Sequence, residues 1–123
     1  MTNQDDPLTG TSWWVEDIGG AGVVDRSRST VEFFEPGKVA GNSGCNRYTG
    51  GYERDGDVLK FGNLAGTMMA CPDALMDQER RFHQAMAQVS SWRIDPQTDL
   101  LHLLDAGGET MIRASRLPED SES

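Results

Sequence analysis

Short runs of alternating apolar and polar residues, separated by turns rich in glycine and proline, occupy most of the chain. Val31 and Phe33 flank Glu32, and Trp13 and Val15 flank Trp14, which is the pattern of a strand with one buried and one solvated face. Gly19-Gly20-Ala21-Gly22, Glu35-Pro36-Gly37-Lys38, Asp55-Gly56, Asp95-Pro96-Gln97-Thr98-Asp99 and Asp105-Ala106-Gly107-Gly108 supply residues that tolerate positive φ or preset it near −65°. They delimit strands over 12–17, 30–35, 38–42, 48–53, 58–61, 92–94, 100–104 and 110–114. The fold class expected is therefore mainly β: a small antiparallel meander of about eight strands, closed into a barrel because closure removes exposed edges.

One segment departs from this pattern. Residues 73–89 contain no Gly or Pro and place Leu75, Phe82, Met86 and Val89 on one stripe at helical spacing. This predicts a single amphipathic helix covering the sheet or plugging one barrel end, with Asp73 as N-cap and Asp77–Arg81 as an i,i+4 pair.

At 123 residues the chain has the size of one domain, expected over 8–115, with flexible ends at 1–7 and 116–123. Eleven basic against twenty acidic residues leave a net charge of −9, which opposes nucleic acid and anionic membranes as partners. No stretch is apolar enough to span a bilayer, and the first residues lack the basic and apolar regions of a signal peptide.

Candidate chemistry is sparse. His83 and His102 have no Cys, Asp or Glu at metal-ligand spacing, so no metal or cofactor is expected; both read as solvent-facing residues. The glycine run at 19–22 fits neither a dinucleotide fingerprint nor a P-loop, and Asp55-Gly56-Asp57 lacks the later ligands of a calcium loop. No spacing brings Glu16, Asp17 and Glu32 together as a catalytic set, so the chain is expected not to be an enzyme. Cys45 and Cys71 admit two readings: a bridge across 26 residues, or two reduced and buried small hydrophobes, with the redox compartment deciding.

The segment from Gly41 through Gly44-Cys45-Asn46-Arg47-Tyr48-Thr49-Gly50-Gly51 to Tyr52 resembles the signature of the META domain, or HslJ-like, family. Gly10 to Val15 around Trp13 is similar to that family's opening strand, Thr67 to Cys71 to its second signature, Glu79 with Phe82 to its helix, and Leu101-His102-Leu103 to its late strand; the match covers about residues 8–114. The Met111-Ile112-Arg113 ending departs from the expected apolar alternation. The resemblance implies a compact β-barrel-like domain of bacterial envelope or stress-associated proteins, linked to heat shock and novobiocin resistance, without established enzymatic activity. It tilts Cys45 and Cys71 towards a disulfide, because both fall in signatures and exported members meet an oxidising compartment. It also implies a periplasmic, lipoprotein-anchored or secreted location, with the cytoplasm as the alternative.

Within the signature, Gly41, Gly44 and Gly50 suit bulges, close approach or positive φ, and Trp13, Tyr52 and Thr67 join them as structural residues. Asn46, Arg47, Tyr48 and Thr49 form the candidate recognition surface, a cation beside an aromatic and a hydroxyl. The leading expectation is a monomeric, non-enzymatic module that contacts a protein or envelope component. The alternative is a small-molecule carrier whose pocket is lined by Trp13, Trp14, Phe33, Phe34, Phe61 and Met68.

Overall fold

The computed structural model describes residues 8–22, 28–67 and 69–117. Its strands are β1 (Thr11–Ile18), β2 (Ala21–Gly22), β3 (Arg28–Glu35), β4 (Lys38–Gly44), β5 (Arg47–Asp55), β6 (Val58–Phe61), β7 (Ala65–Gly66), β8 (Ser91–Ile94), β9 (Leu101–Leu104) and β10 (Thr110–Arg116). Helix α1 (Asp73–Gln88) lies between β7 and β8. Eight of these strands pair antiparallel with their neighbours in chain order, and β10 pairs back with β1 to close the barrel. The meander is therefore as the alternation predicts; the two-residue strands β2 and β7 are additions too short to leave a periodic signal.

Imperfect alternation has a local cause. In β1, Trp13 and Val15 point inward and so does Ile18, because a register shift between Val15 and Asp17 against β10 changes the phase of the strand. A second shift, between Thr110 and Ile112 against β9, accounts for the Met111-Ile112-Arg113 ending: Ile112 and Ala114 face the core while Met111 packs at its margin. The last strand runs on to Arg116, two residues beyond its expected end at 114, and Leu117 N–H donates to Ser12 O. Residues 1–7 and 118–123 lie outside the described residues.

The barrel interior is packed. Trp13, Val15, Val31, Phe33, Val39, Leu59, Leu101, Leu103 and Ile112 are wholly inaccessible, and Phe33 meets the edge of Tyr52 at 5.1 Å and stacks on Phe61 at 6.3 Å. Burying such side chains removes roughly 25 cal/mol of unfavourable hydration per Å². Trp13 turns its indole N–H to Thr11 Oγ1 at 2.8 Å, and the Arg116 guanidinium covers its ring at 4.6 Å.

Helix α1 packs against β4, β6, β10 and β1, strands from around the circumference, and so closes one end of the barrel. Phe82, Met86 and Val89 of the expected stripe are buried; Gln78 and Ala85 join them, whereas Leu75 is half-exposed. Gln78 enters the interior because its Nε2 donates to the buried Ser29 Oγ at 3.1 Å. Asp73 is the first helical residue and not the cap: Pro72 occupies the cap position, with no side-chain hydrogen bond, and its carbonyl accepts from Leu75 and Met76 N–H. Asp77 pairs with Arg81 at 3.3 Å, as the spacing predicts, and with Arg80 at 2.7 Å.

Candidate functional site

The signature residues gather where the β4–β5 turn, the segment after β7 and one flank of α1 meet. Gly41 is fixed by close approach, since a Cβ there would collide with the Thr30 carbonyl of β3. Gly44 adopts φ 140° and lies under the helix, where a Cβ would sit 3.3 Å from Leu75 O. That bare backbone lets the turn reach Glu79.

Glu79 is the hub. Its Oε1 accepts from Ser43 Oγ at 2.9 Å, Asn46 N–H at 2.9 Å and Cys45 N–H at 3.4 Å; its Oε2 accepts from Asn46 Nδ2 at 2.9 Å. Burial pushes the carboxyl pKa up, but the bonds from Asn46, Ser43 and Cys45 outweigh it and hold the pKa below the ordinary carboxylate value. Asn46 passes the network onward: its Oδ1 accepts from Thr67 Oγ1 at 3.0 Å and from Met69 N–H at 2.7 Å, and its Nδ2 also lies 3.5 Å from Met69 O. Both acceptor and both donor capacities of the amide are thereby used, which fixes its orientation. Thr67 Oγ1 in turn accepts from Arg47 N–H at 3.2 Å. Cys45 and Cys71 form a disulfide at the same corner, their Cα atoms 6.4 Å apart.

The four residues expected to make one recognition surface are divided by the strand pleat. Asn46 and Tyr48 are buried, whereas Arg47 and Thr49 face solvent. The Tyr48 hydroxyl donates to Thr30 O at 2.7 Å, and its pKa is raised first by burial and then by Glu32, against the opposing Arg47. The expected carrier pocket is likewise absent as a set: Trp13 and Phe33 belong to the packed core, Phe61 lies at its margin, Trp14 and Phe34 are exposed, and Met68 lies outside the described residues.

The helical spacing itself marks Glu79 as a site residue. Glu79 lies four residues after Leu75 and three before Phe82, on the buried flank, where an acid needs partners. His83 also departs from expectation: it is half-buried, edge-on to Tyr48 and Phe82 at 6.0 and 5.6 Å, and burial lowers its pKa against the opposing influence of Glu79. His102 does alternate outward between buried Leu101 and Leu103, with Nδ1 3.2 Å from Thr110 Oγ1.

Beside the network an open groove of 360 Å³ runs between α1 and the segment from Gly62 to Thr67. Gly62, Leu64 and Gly66 line one side and Glu79, His83 and Ala87 the other. Among the described residues no group of three His, Cys, Asp or Glu side chains is placed to hold a metal ion, and no helix is long and apolar enough to cross a membrane.

Residues 6–117, which take in the barrel, the signature turn and the helix, match the family model of the META domain. The chain belongs to the META domain family. Its fold is similar to the NMR structure of a protein from Burkholderia xenovorans, at 25% identity over 92% of this chain and 86% of that one, with a TM-score of 0.72. A second NMR structure is 20% identical over 89% of this chain and 92% of the other, with a TM-score of 0.66. A crystal structure of a DUF4847 family protein from Bacteroides vulgatus shares the fold at 15% identity, covering 96% of this META chain and 100% of its own, with a TM-score of 0.68. Comparison with curated proteins finds no match.

Proposed function

We propose that this META domain is a non-enzymatic module that acts by contact with a protein or cell-envelope component. One observation carries the reading: the polar groups of the signature are engaged with one another. Covalent or acid–base catalysis needs a nucleophile or acid–base pair that a substrate can reach. Ser43 does have Glu79 beside it, but the serine is buried where no substrate reaches, the Asn46 amide is saturated, and Glu79 Oε1 accepts three hydrogen bonds from its own chain. Such a constellation holds a turn, a loop and a helix in fixed relation, and a fixed surface is what a contact module requires.

The envelope setting agrees with a cross-link between two signatures, because disulfides persist in oxidising compartments. The test pairs location with activity. Protein produced from its own gene is expected in the envelope fraction with Cys45 and Cys71 oxidised, and photo-crosslinkers on its surface are expected to capture a recurrent partner there. Hydrolysis of any member of a panel of esters, phosphoesters and glycosides, lost in Glu79→Gln, would overturn the reading.

A further inference from the structure

The groove beside Glu79 has a feature that the signature network does not use. Strand β7 pairs with β5 through Tyr48↔Gly66 and Thr49↔Ala65, and Thr67 N–H donates to Arg47 O. In an antiparallel ladder that bond flanks a pair that exchanges no backbone hydrogen bonds, so Gly66 turns its N–H and C=O away from β5. Gly66 is exposed and lines the groove; its bare Cα is needed on the β5 side, where a Cβ would collide with the Arg47 carbonyl. Opposite this edge, α1 presents Glu79, His83 and Ala87. Eight residues of helix span about 12 Å, the length of about four residues of extended chain.

The charge in the groove has one sign. Among the described residues lining it Glu79 carries the fixed charge, and its hydrogen bonds favour the ionised form while burial keeps neighbouring His83 neutral. Glu79 Oε2 accepts from Asn46 Nδ2, whereas a carboxylate oxygen has room for a second donor. The whole chain, at −9, adds an attractive field for a cation.

We propose that this groove takes an extended peptide segment of another protein, added as a further strand on the free edge of β7 and anchored by a lysine or arginine side chain on Glu79. The assignment rests on the contact-module reading and names the partner chemistry for it. Main-chain hydrogen bonds to Gly66 supply strand addition, the floor around Leu64 and Met86 takes an apolar side chain, and Glu79 selects the basic one.

The test uses the intact, oxidised chain labelled with ¹⁵N and a blocked pentapeptide of alternating valine and threonine with a central lysine, against its twin with a central glutamine. The lysine peptide is expected to shift amides of residues 62–67 and 79–87 saturably and to bind at least about tenfold more tightly than its twin. Ala87→Trp, which fills the groove from an exposed helix position without touching the Glu79 network, is expected to abolish those shifts. Glu79→Gln is expected to equalise the two peptides; if that variant fails to fold, the twin peptides on the unaltered chain still decide the matter. Shifts elsewhere, equal affinity for the twins, binding that survives Ala87→Trp, or no shift with either peptide at millimolar concentration would each overturn the assignment. Those outcomes leave the in-cell crosslinks and the turnover panel untouched, so failure here is distinguishable from failure of the contact-module reading.

Discussion

Two regions of this small barrel are held by opposite means. The wall formed by β10, β1 and β3 is apolar inside, with Trp13, Val15, Val31, Phe33 and Ile112 inaccessible and long registers joining the three strands. The signature corner is polar: a carboxylate, an amide, two hydroxyls and a disulfide join three segments that share no ladder of comparable length. Apolar packing is non-directional and tolerates any side chain of about the right volume. A hydrogen-bonded corner is directional, and each position in it needs a particular donor or acceptor.

Truncation in the wall is expected to have the largest effect. Phe33→Ala removes a ring that contacts Tyr52 and Phe61 and should cost about 3 to 5 kcal/mol in guanidinium unfolding, because transfer and cavity terms add. A loss under about 1 kcal/mol would mean that the interior is not closely packed there.

Opening the disulfide comes next. Reduction, or replacement of Cys45 and Cys71 by serine, frees a link across a sequence separation of 26 and should cost roughly 3 to 4 kcal/mol in the chain-entropy model. Hydrogen exchange should then rise first in 62–72. Exchange that rises uniformly over the barrel would show that corner and wall are one cooperative unit.

Removing the hub is a smaller change. Glu79→Ala strands the Asn46 N–H and amide and should cost about 2 kcal/mol, with the disulfide still holding the corner. Combined with loss of the disulfide, the effect should exceed the sum of the separate changes, since both clamp the same segments. Strict additivity in that double-mutant cycle would break the picture of a shared corner.

The acid side of the stability curve gives the finest distinction. The Glu79 pKa is lowered on folding, so its contribution is fully present above the unfolded carboxyl pKa and is lost as pH falls through the lower folded value. Glu79→Gln should flatten that part of the curve and leave the neutral range level. An unchanged acid limb would mean that the carboxylate gains nothing from its partners.

By itself the sequence determined the eight main strands, their antiparallel order and the helix, because two periods of hydrophobic alternation are local properties that neighbouring residues display. It also marked Cys45 and Cys71 as a pair to watch, while leaving their bonding open. Tertiary structure alone decided that Asn46 and Tyr48 turn inward while Arg47 and Thr49 turn outward, since the phase of β5 is set by the partners it meets. It also decided that Gln78 is interior, that Glu79 reaches a turn 33 residues earlier in the chain, and that Gly66 leaves a strand edge bare beside the helix. Hydrogen bonds between distant segments leave no period in the chain that makes them. They exist only once the barrel has closed and brought donor and acceptor within reach.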